Sequence, residues 1–192
     1  MKETNAWEIR AGTPEWYEMM RGGKEKHPSH DIAEDIIFSS FPSSMLDVGV
    51  GPGVTYERIR NRLDKTSYTG LDISPTAITK LKTMYPDVDF RVGSLMEIPI
   101  EDKAYDVVYT RHTLEHCPYY EIPIRELFRV AKKLVVITLF HELVQKDKIA
   151  VVSGRNLNYY EQDKFMKFID SFKCPSKTTK SGTNTVISIT KL

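Results

Sequence analysis

The period of the apolar positions changes several times along the chain, and each change marks an element. A short apolar run (Met45, Leu46, Val48) reaches three glycines at alternate positions, Gly49, Gly51 and Gly53, and helical spacing follows at Tyr56, Ile59 and Leu63 within 54–64. That order is strand, tight turn, helix. A second strand is expected at 68–72. Ser74-Pro75 then supplies a cap and a first-turn proline for a helix that turns Ala77, Ile78 and Leu81 inwards and ends at Tyr85-Pro86. Val88 to Val92 alternates as a third strand up to Gly93-Ser94-Leu95, and 104–110 is a fourth. Helical spacing returns over 121–131 at Ile124, Leu127, Phe128 and Val130, and 133–140 is the most apolar strand, expected at the centre of a sheet. Strands and helices alternating in this way predict an α/β domain whose mainly parallel sheet carries helices on both faces.

The flanks behave differently. Residues 1–43 form a helical arm: Pro14 opens a helix over Glu15 to Met20 that Arg21-Gly22-Gly23 closes, and Ser29 can cap a second helix, His30 to Ser40, with Ile32, Ile36 and Ile37 on its apolar face. Residues 141–158 lack periodicity and make a long connection, with room for a short strand at Ile149 to Val152. A helix follows, with Phe165, Phe168, Ile169 and Phe172 on one side; 173–179 and 185–192 then pair around the turn at 180–184 as a β-hairpin. We expect one domain over 1–192: the arm, a ligand-binding core at 44–140, and the connection, helix and hairpin of 141–192.

Composition agrees and narrows the partners. The chain has 192 residues, 41% of them hydrophobic, which suffices for one domain with its own core. A net charge of +1 creates no field towards nucleic acid or an acidic membrane. Lys24-Glu25-Lys26 and Lys146-Asp147-Lys148 mix signs and suit solvated surface. Cys117 and Cys174 stand alone, with no C-x-x-C, so neither a disulfide framework nor zinc is expected, and His27 to Asp31 suits a helix start better than a metal site. No signal-like start or membrane-length apolar run is present, and a cytoplasmic protein is the expectation.

The glycine turn carries the strongest chemical signal. Asp72 ends the second strand about twenty residues after it, where a carboxylate can accept hydrogen bonds from both hydroxyls of a ribose. The dinucleotide pattern G-x-G-x-x-G fails here, because its third position falls on Val54 and the spacing is G-x-G-x-G. Asp47, just before the turn, would repel a pyrophosphate and suits a phosphate-free, positively charged ligand.

Asp47-Val48-Gly49-Val50-Gly51-Pro52-Gly53 and Gly70 to Ser74 together resemble the first two motifs of the class I S-adenosylmethionine-dependent methyltransferases. That resemblance implies a Rossmann-like, seven-stranded sheet ending in an antiparallel hairpin. It places Gly49, Gly51 and Gly53 beneath the methionine and adenosine portions, Asp47 near the methionine amino end, Asp72 on the ribose and Ile73 along the adenine. Ser94-Leu95 stands at a third motif, where the family commonly has an acidic residue; a serine hydroxyl accepts the adenine amino hydrogens more weakly, though backbone groups there can still bind the ring. Thr110 to His116 is similar to a fourth motif, whose Leu-Glu-His ending is frequent in the small-molecule branch. Thr110 and Arg111 would lie at the carboxyl edge of the sheet, with Arg111 on the methionine carboxylate, His112 facing the methyl acceptor and His116 buttressing the loop.

The expected reaction is in-line methyl transfer to a small-molecule or sugar-like acceptor. A hydroxyl acceptor is helped by a base, for which His112 and His141 are the candidates; an amine or thiol needs none. Trp7, Trp16 and Tyr17 on the arm can close over a ligand, or simply pack the arm. Tyr159 and Tyr160 can border the acceptor pocket or pack the helix start. Two other functions remain open: a cofactor-binding module or partner subunit without turnover, and an NAD(P)-dependent oxidoreductase, which Asp47, the glycine spacing and the terminal hairpin oppose.

Overall fold

The computed structural model describes residues 2–18, 27–64, 67–152 and 155–192. Its elements run α1 (Lys2–Ala11), a helical stretch at 14–18, α2 (Ser29–Ser39), β1 (Met45–Val48), α3 (Val54–Ile59), β2 (Tyr68–Asp72), α4 (Pro75–Met84), β3 (Asp89–Val92) and β4 (Tyr105–Arg111). A 3-10 turn (Leu114–His116) leads to α5 (Glu121–Val130), β5 (Ala131–Leu139), β6 (Lys148–Val152), β7 (Arg155–Tyr159), α6 (Gln162–Asp170), β8 (Ser176–Ser181) and β9 (Asn184–Thr190). Seven strands form one sheet in the order β3-β2-β1-β4-β5-β9-β8. The first five are parallel, and β9 joins β5 and β8 antiparallel.

Two apolar layers sandwich this sheet, and the alternation of side chains assigns residues between them. Leu46, Val48, Val135, Ile137, Ile187 and Ile189 pack under Ile124 and Leu127 of α5 and Phe165 and Ile169 of α6. Met45, Tyr68, Phe90, Val136 and Val186 pack on the other side under Ala33 and Ile37 of α2, Ile59 of α3, and Ile78 and Leu81 of α4. Every residue of β1 is buried, as a strand flanked by two parallel neighbours must be. Ser74 caps α4 as expected, its hydroxyl accepting from Ala77 N–H at 3.1 Å.

Several boundaries differ from the expectation. The helix after the glycine turn stops at Ile59, its last fully buried apolar residue, and 60–62 turn through exposed positions. β5 is interior, but β4 holds the middle place because β8 and β9 extend the sheet beyond β5. Ser29 does not cap α2; Pro28 occupies that place, and the serine hydroxyl is engaged elsewhere. Met19, Met20, the expected helix end at Arg21-Gly22-Gly23 and the stretch Lys24-Glu25-Lys26 lie outside the described residues. Among the described residues, no helix is long and apolar enough to cross a membrane.

The connection after β5 is a second hairpin, β6 with β7, rather than an irregular loop with one strand. Its sequence hides this because Ile149 and Val151 of β6 face outwards, 68% and 71% exposed. Leu157 and Asn158 of β7, both buried, hold it instead. Asn158 Nδ2 donates to the carbonyls of Glu115 (2.8 Å) and Cys117 (2.7 Å), tying β7 to the turn after β4. Asn158→Ala leaves two carbonyls without that donor, and a loss of about 1–3 kcal/mol in urea unfolding is expected; an unchanged midpoint would show that the hairpin does not depend on this anchor.

Candidate active site

The sheet presents its polar groups at one edge. After β1 the chain turns through Gly49 (φ 80°) and Gly51 (φ 53°), a region that side chains resist. The turn is tied to β2, since Gly49 and Val50 both donate to the Leu71 carbonyl, at 2.7 and 3.0 Å. A Cβ on Gly49 would lie 2.0 Å from Thr113 Oγ1, so the loop after β4 rests directly on bare main chain. At the end of β2 the Asp72 carboxylate accepts the N–H groups of Gly51 (2.8 Å) and Ser74 (2.9 Å). Both oxygens are thereby fixed, and each keeps a lone pair for another donor.

A cavity opens over this edge. Its wall contains Asp47, Gly49, Gly51, Asp72, Ile73, Ser94, Leu95 and Arg111 of the expected cofactor set, together with His112 and Trp16. Six expected residues are not on it. Gly53 precedes α3 and faces Leu81 across a closely packed contact. Thr110 is buried behind the wall, where its hydroxyl donates to the Val48 carbonyl at 2.8 Å and ties β4 to β1. Tyr17 stands behind Trp16, edge-to-face at 5.0 Å, with the Lys80 ammonium over its ring. Tyr160 belongs to the core, its hydroxyl donating to the Leu114 carbonyl at 2.7 Å. Tyr159 stacks on His141 at 4.2 Å. His141 is itself buried between two carbonyls, Glu142 O at 2.8 Å from Nδ1 and Asn158 O at 2.7 Å from Nε2. With a backbone carbonyl against each of its ring nitrogens, His141 has no open position towards an acceptor in the cavity.

The wall also includes residues that periodicity did not single out: His30, Thr113, Cys117 and Pro118. His30 lies in the first turn of α2 and carries no pattern of its own. Trp7 of α1 is on the wall too, between His116, edge-to-face at 4.9 Å, and the Arg155 guanidinium, 4.6 Å from its ring centre. His116 Nδ1 lies 2.9 Å from the Asn156 carbonyl, which links the loop to β7.

Burial sets the charge states. Asp47 is 1% exposed, and loss of solvation pushes its carboxyl up to about 7, against the Tyr68 hydroxyl that donates to it at 2.7 Å. Desolvation raises Asp72 too, opposed by the N–H groups of Ser74 and Gly51. Burial lowers the pKa of Arg111, and the Tyr109 phenol works the other way. Arg111 Nη1 donates to Ser29 Oγ at 2.7 Å, while Arg111 Nη2 and Trp16 Nε1 are buried without a hydrogen-bond partner among the described residues. Bare main chain, a carboxylate with spare lone pairs and the Arg111 side chain on one wall fit a nucleoside that carries an amino acid, as S-adenosylmethionine does.

Comparison with known proteins agrees with this fit. Residues 46–138 match the family described as a methyltransferase domain. Ajmaline N-methyltransferase of Rauvolfia serpentina is 32% identical over 124 residues, 57% of this chain and 42% of that protein. A probable chloroplastic tocopherol O-methyltransferase of Oryza sativa subsp. japonica is 29% identical over 109 residues, 52% of this chain and 30% of that one. The chain thus spans less than half the length of these two curated relatives. In fold, it is similar to the CurJ carbon methyltransferase (TM-score 0.74, 14% identity, 94% of this chain and 58% of that one). It is also similar to a possible histamine N-methyltransferase of Thermotoga maritima (TM-score 0.68, 14% identity, 98% and 99%). Residues 46–138, just under half of the chain, thus match the methyltransferase domain family, and the sheet order and glycine edge are those of the Rossmann-like methyltransferase fold.

Proposed function

We propose that this domain holds S-adenosylmethionine over the glycine turn and directs methyl transfer to a small-molecule or sugar-like acceptor by in-line displacement. The observation that carries the reading is that a single cavity runs from Asp72, Ile73 and Ser94 past the glycines to Arg111, His112, His30 and Trp16. Cofactor and acceptor then share one chamber. Asp72 takes the ribose hydroxyls, Ile73 and Leu95 flank the adenine, and Asp47 and Arg111 face the amino-acid end. Trp16 and His112 border the acceptor. When bound, the cofactor supplies a methyl group already activated by its sulfonium. The protein's task is alignment, which contributes up to about 7–11 kcal/mol in well-oriented systems.

A small acceptor suits a nearly neutral chain, and the two curated relatives named above act, by their names, on ajmaline and on tocopherol. Ser94 gives some support to a second reading, binding without turnover, because its hydroxyl already accepts Met96 N–H at 3.1 Å and has less to offer an adenine. Incubation of the protein with methyl-labelled cofactor and a cell extract separates the two. Label is expected in the low-molecular-weight fraction, and Gly49→Ala, whose Cβ meets Thr113, should abolish it; label confined to nucleic acid or protein, or no label despite cofactor binding, would overturn the proposal.

Asp47 makes cofactor binding depend on pH. Its carboxyl titrates near 7 in the folded chain and near 4 when unfolded. Its contribution to stability is therefore fully present below the unfolded value and is lost as pH rises through about 7. A cationic ligand favours the ionised form, so affinity should change in the opposite sense. Titration calorimetry between about pH 5.5 and 8.5 is expected to show S-adenosylmethionine binding more tightly as pH rises, by up to about tenfold per unit below 7. In Asp47→Asn that dependence should flatten. A pH-independent dissociation constant in the wild type would remove Asp47 from the cation's surroundings.

A further inference from the structure

The terminal hairpin reaches back to the cavity, and its contact there decides what His112 can do. Asn184, at the start of β9, is buried, and its amide nitrogen lies 3.0 Å from Ser29 Oγ and 2.9 Å from His112 Nε2. The orientation of that amide follows from a count of protons. Arg111 Nη1, 2.7 Å from Ser29 Oγ, can only donate to it. His27 Nδ1 lies 2.8 Å from the same oxygen and also receives the Ser29 backbone N–H at 3.2 Å, so this ring nitrogen is an acceptor. The serine's one hydroxyl proton therefore goes to His27, and its oxygen accepts twice, from Arg111 and from Asn184. An amide oxygen at this corner would face an acceptor; the nitrogen is required. Its second hydrogen points at His112 Nε2, which must then be the unprotonated nitrogen, leaving the ring proton of the neutral histidine on Nδ1.

The main chain holds the ring in place as well. His112 takes a positive φ of 52° just past β4, its N–H donates to the Thr138 carbonyl at 2.9 Å, and its ring meets the Phe140 edge at 5.1 Å. A bulky residue in this conformation is strained, and the packing that keeps it there fixes the direction of the side chain.

We propose that Asn184 is a positioning residue that holds His112 in the Nδ1–H tautomer with its one lone pair engaged. His112 therefore removes no proton, and the cavity serves an acceptor that reacts without a protein base, an amine nitrogen taken up in its neutral form with its lone pair free. The acceptor class rests on the methyl-transfer reading above; the tautomer does not. The amine lone pair forms the new N–C bond as the C–S bond breaks, the bonding pair stays on sulfur, and any surplus N–H proton passes to solvent afterwards. His141, the other candidate base, is closed off between its two carbonyls.

Two-bond 1H–15N spectra of the histidine-labelled protein, with His112 assigned through His112→Gln, read the tautomer directly. In the neutral ring, Nε2 is expected in the unprotonated range and Nδ1 in the protonated range. In Asn184→Asp the ionised carboxylate can only accept, and the proton should move to Nε2. A wild-type Nε2–H ring, or a ring unchanged in Asn184→Asp, overturns the positioning role; neither reading requires cofactor or turnover. With methyl-labelled cofactor and a panel of secondary amines and phenols, amines are expected to take label at least about a hundredfold faster, since hydroxyl transfer lacks its base. Phenols labelled as fast as amines would overturn the acceptor class while leaving the tautomer standing. Failure to bind S-adenosylmethionine at all would instead remove the methyl-transfer reading.

Discussion

The carboxylate of Asp72 joins the ends of two strands. By accepting the N–H groups of Gly51 and Ser74, it fixes the glycine turn after β1 to the start of α4 and leaves its remaining lone pairs towards the cavity. The same turn is held from the other side by the Leu71 carbonyl and by Thr113, which lies where a side chain on Gly49 would have to be. The edge is thus braced by its own hydrogen bonds, and a fixed edge is what orientation-based catalysis requires. Desolvation raises the pKa of Asp72 and Asp47 alike, so a cationic ligand would restore part of what burial takes away.

The remaining elements act on this edge from outside the parallel core. The β6–β7 hairpin braces the loop after β4 through Asn158 and His116. α1 brings Trp7 between His116 and Arg155, and the stretch at 14–18 sets Trp16 beside Gly51. The terminal hairpin supplies Asn184, which meets Ser29 at the start of α2 and His112 after β4. Arg111 is fixed by the same serine. Segments far apart in sequence therefore share one hydrogen-bonded corner, and each satisfies donors that the others bury.

Much of this was legible in the chain because it depends on local order. Strand, glycine turn, helix and acidic strand end follow one another within some thirty residues, and their backbone needs are met by residues adjacent in sequence. Ser74-Pro75 is similar: cap and first-turn proline act on the helix that they begin. In the last strand Val186 falls to one apolar layer and Ile187 and Ile189 to the other, as alternation along a strand requires. Aromatic and histidine side chains depend on more than local order. Trp16 and His112 reached the cavity wall, but Tyr17, Tyr159, Tyr160 and His141 did not, since nothing in their spacing distinguishes a side chain beside a cavity from one in the layer beneath.

The sequence alone determined the order of strands and helices from β1 to β5, the sharp turn and the charge pattern around it, because these follow from neighbouring residues and the period of burial. The tertiary structure decided which side chains meet across long separations. Ser29, a suitable helix cap by its position, became the junction of His27, Arg111 and Asn184, and a hairpin with outward-facing valine and isoleucine on β6 was anchored through the buried Leu157 and Asn158 of β7. Hydrogen bonds of that kind are set by where the packed layers bring donors and acceptors together, and a one-dimensional pattern carries no record of it.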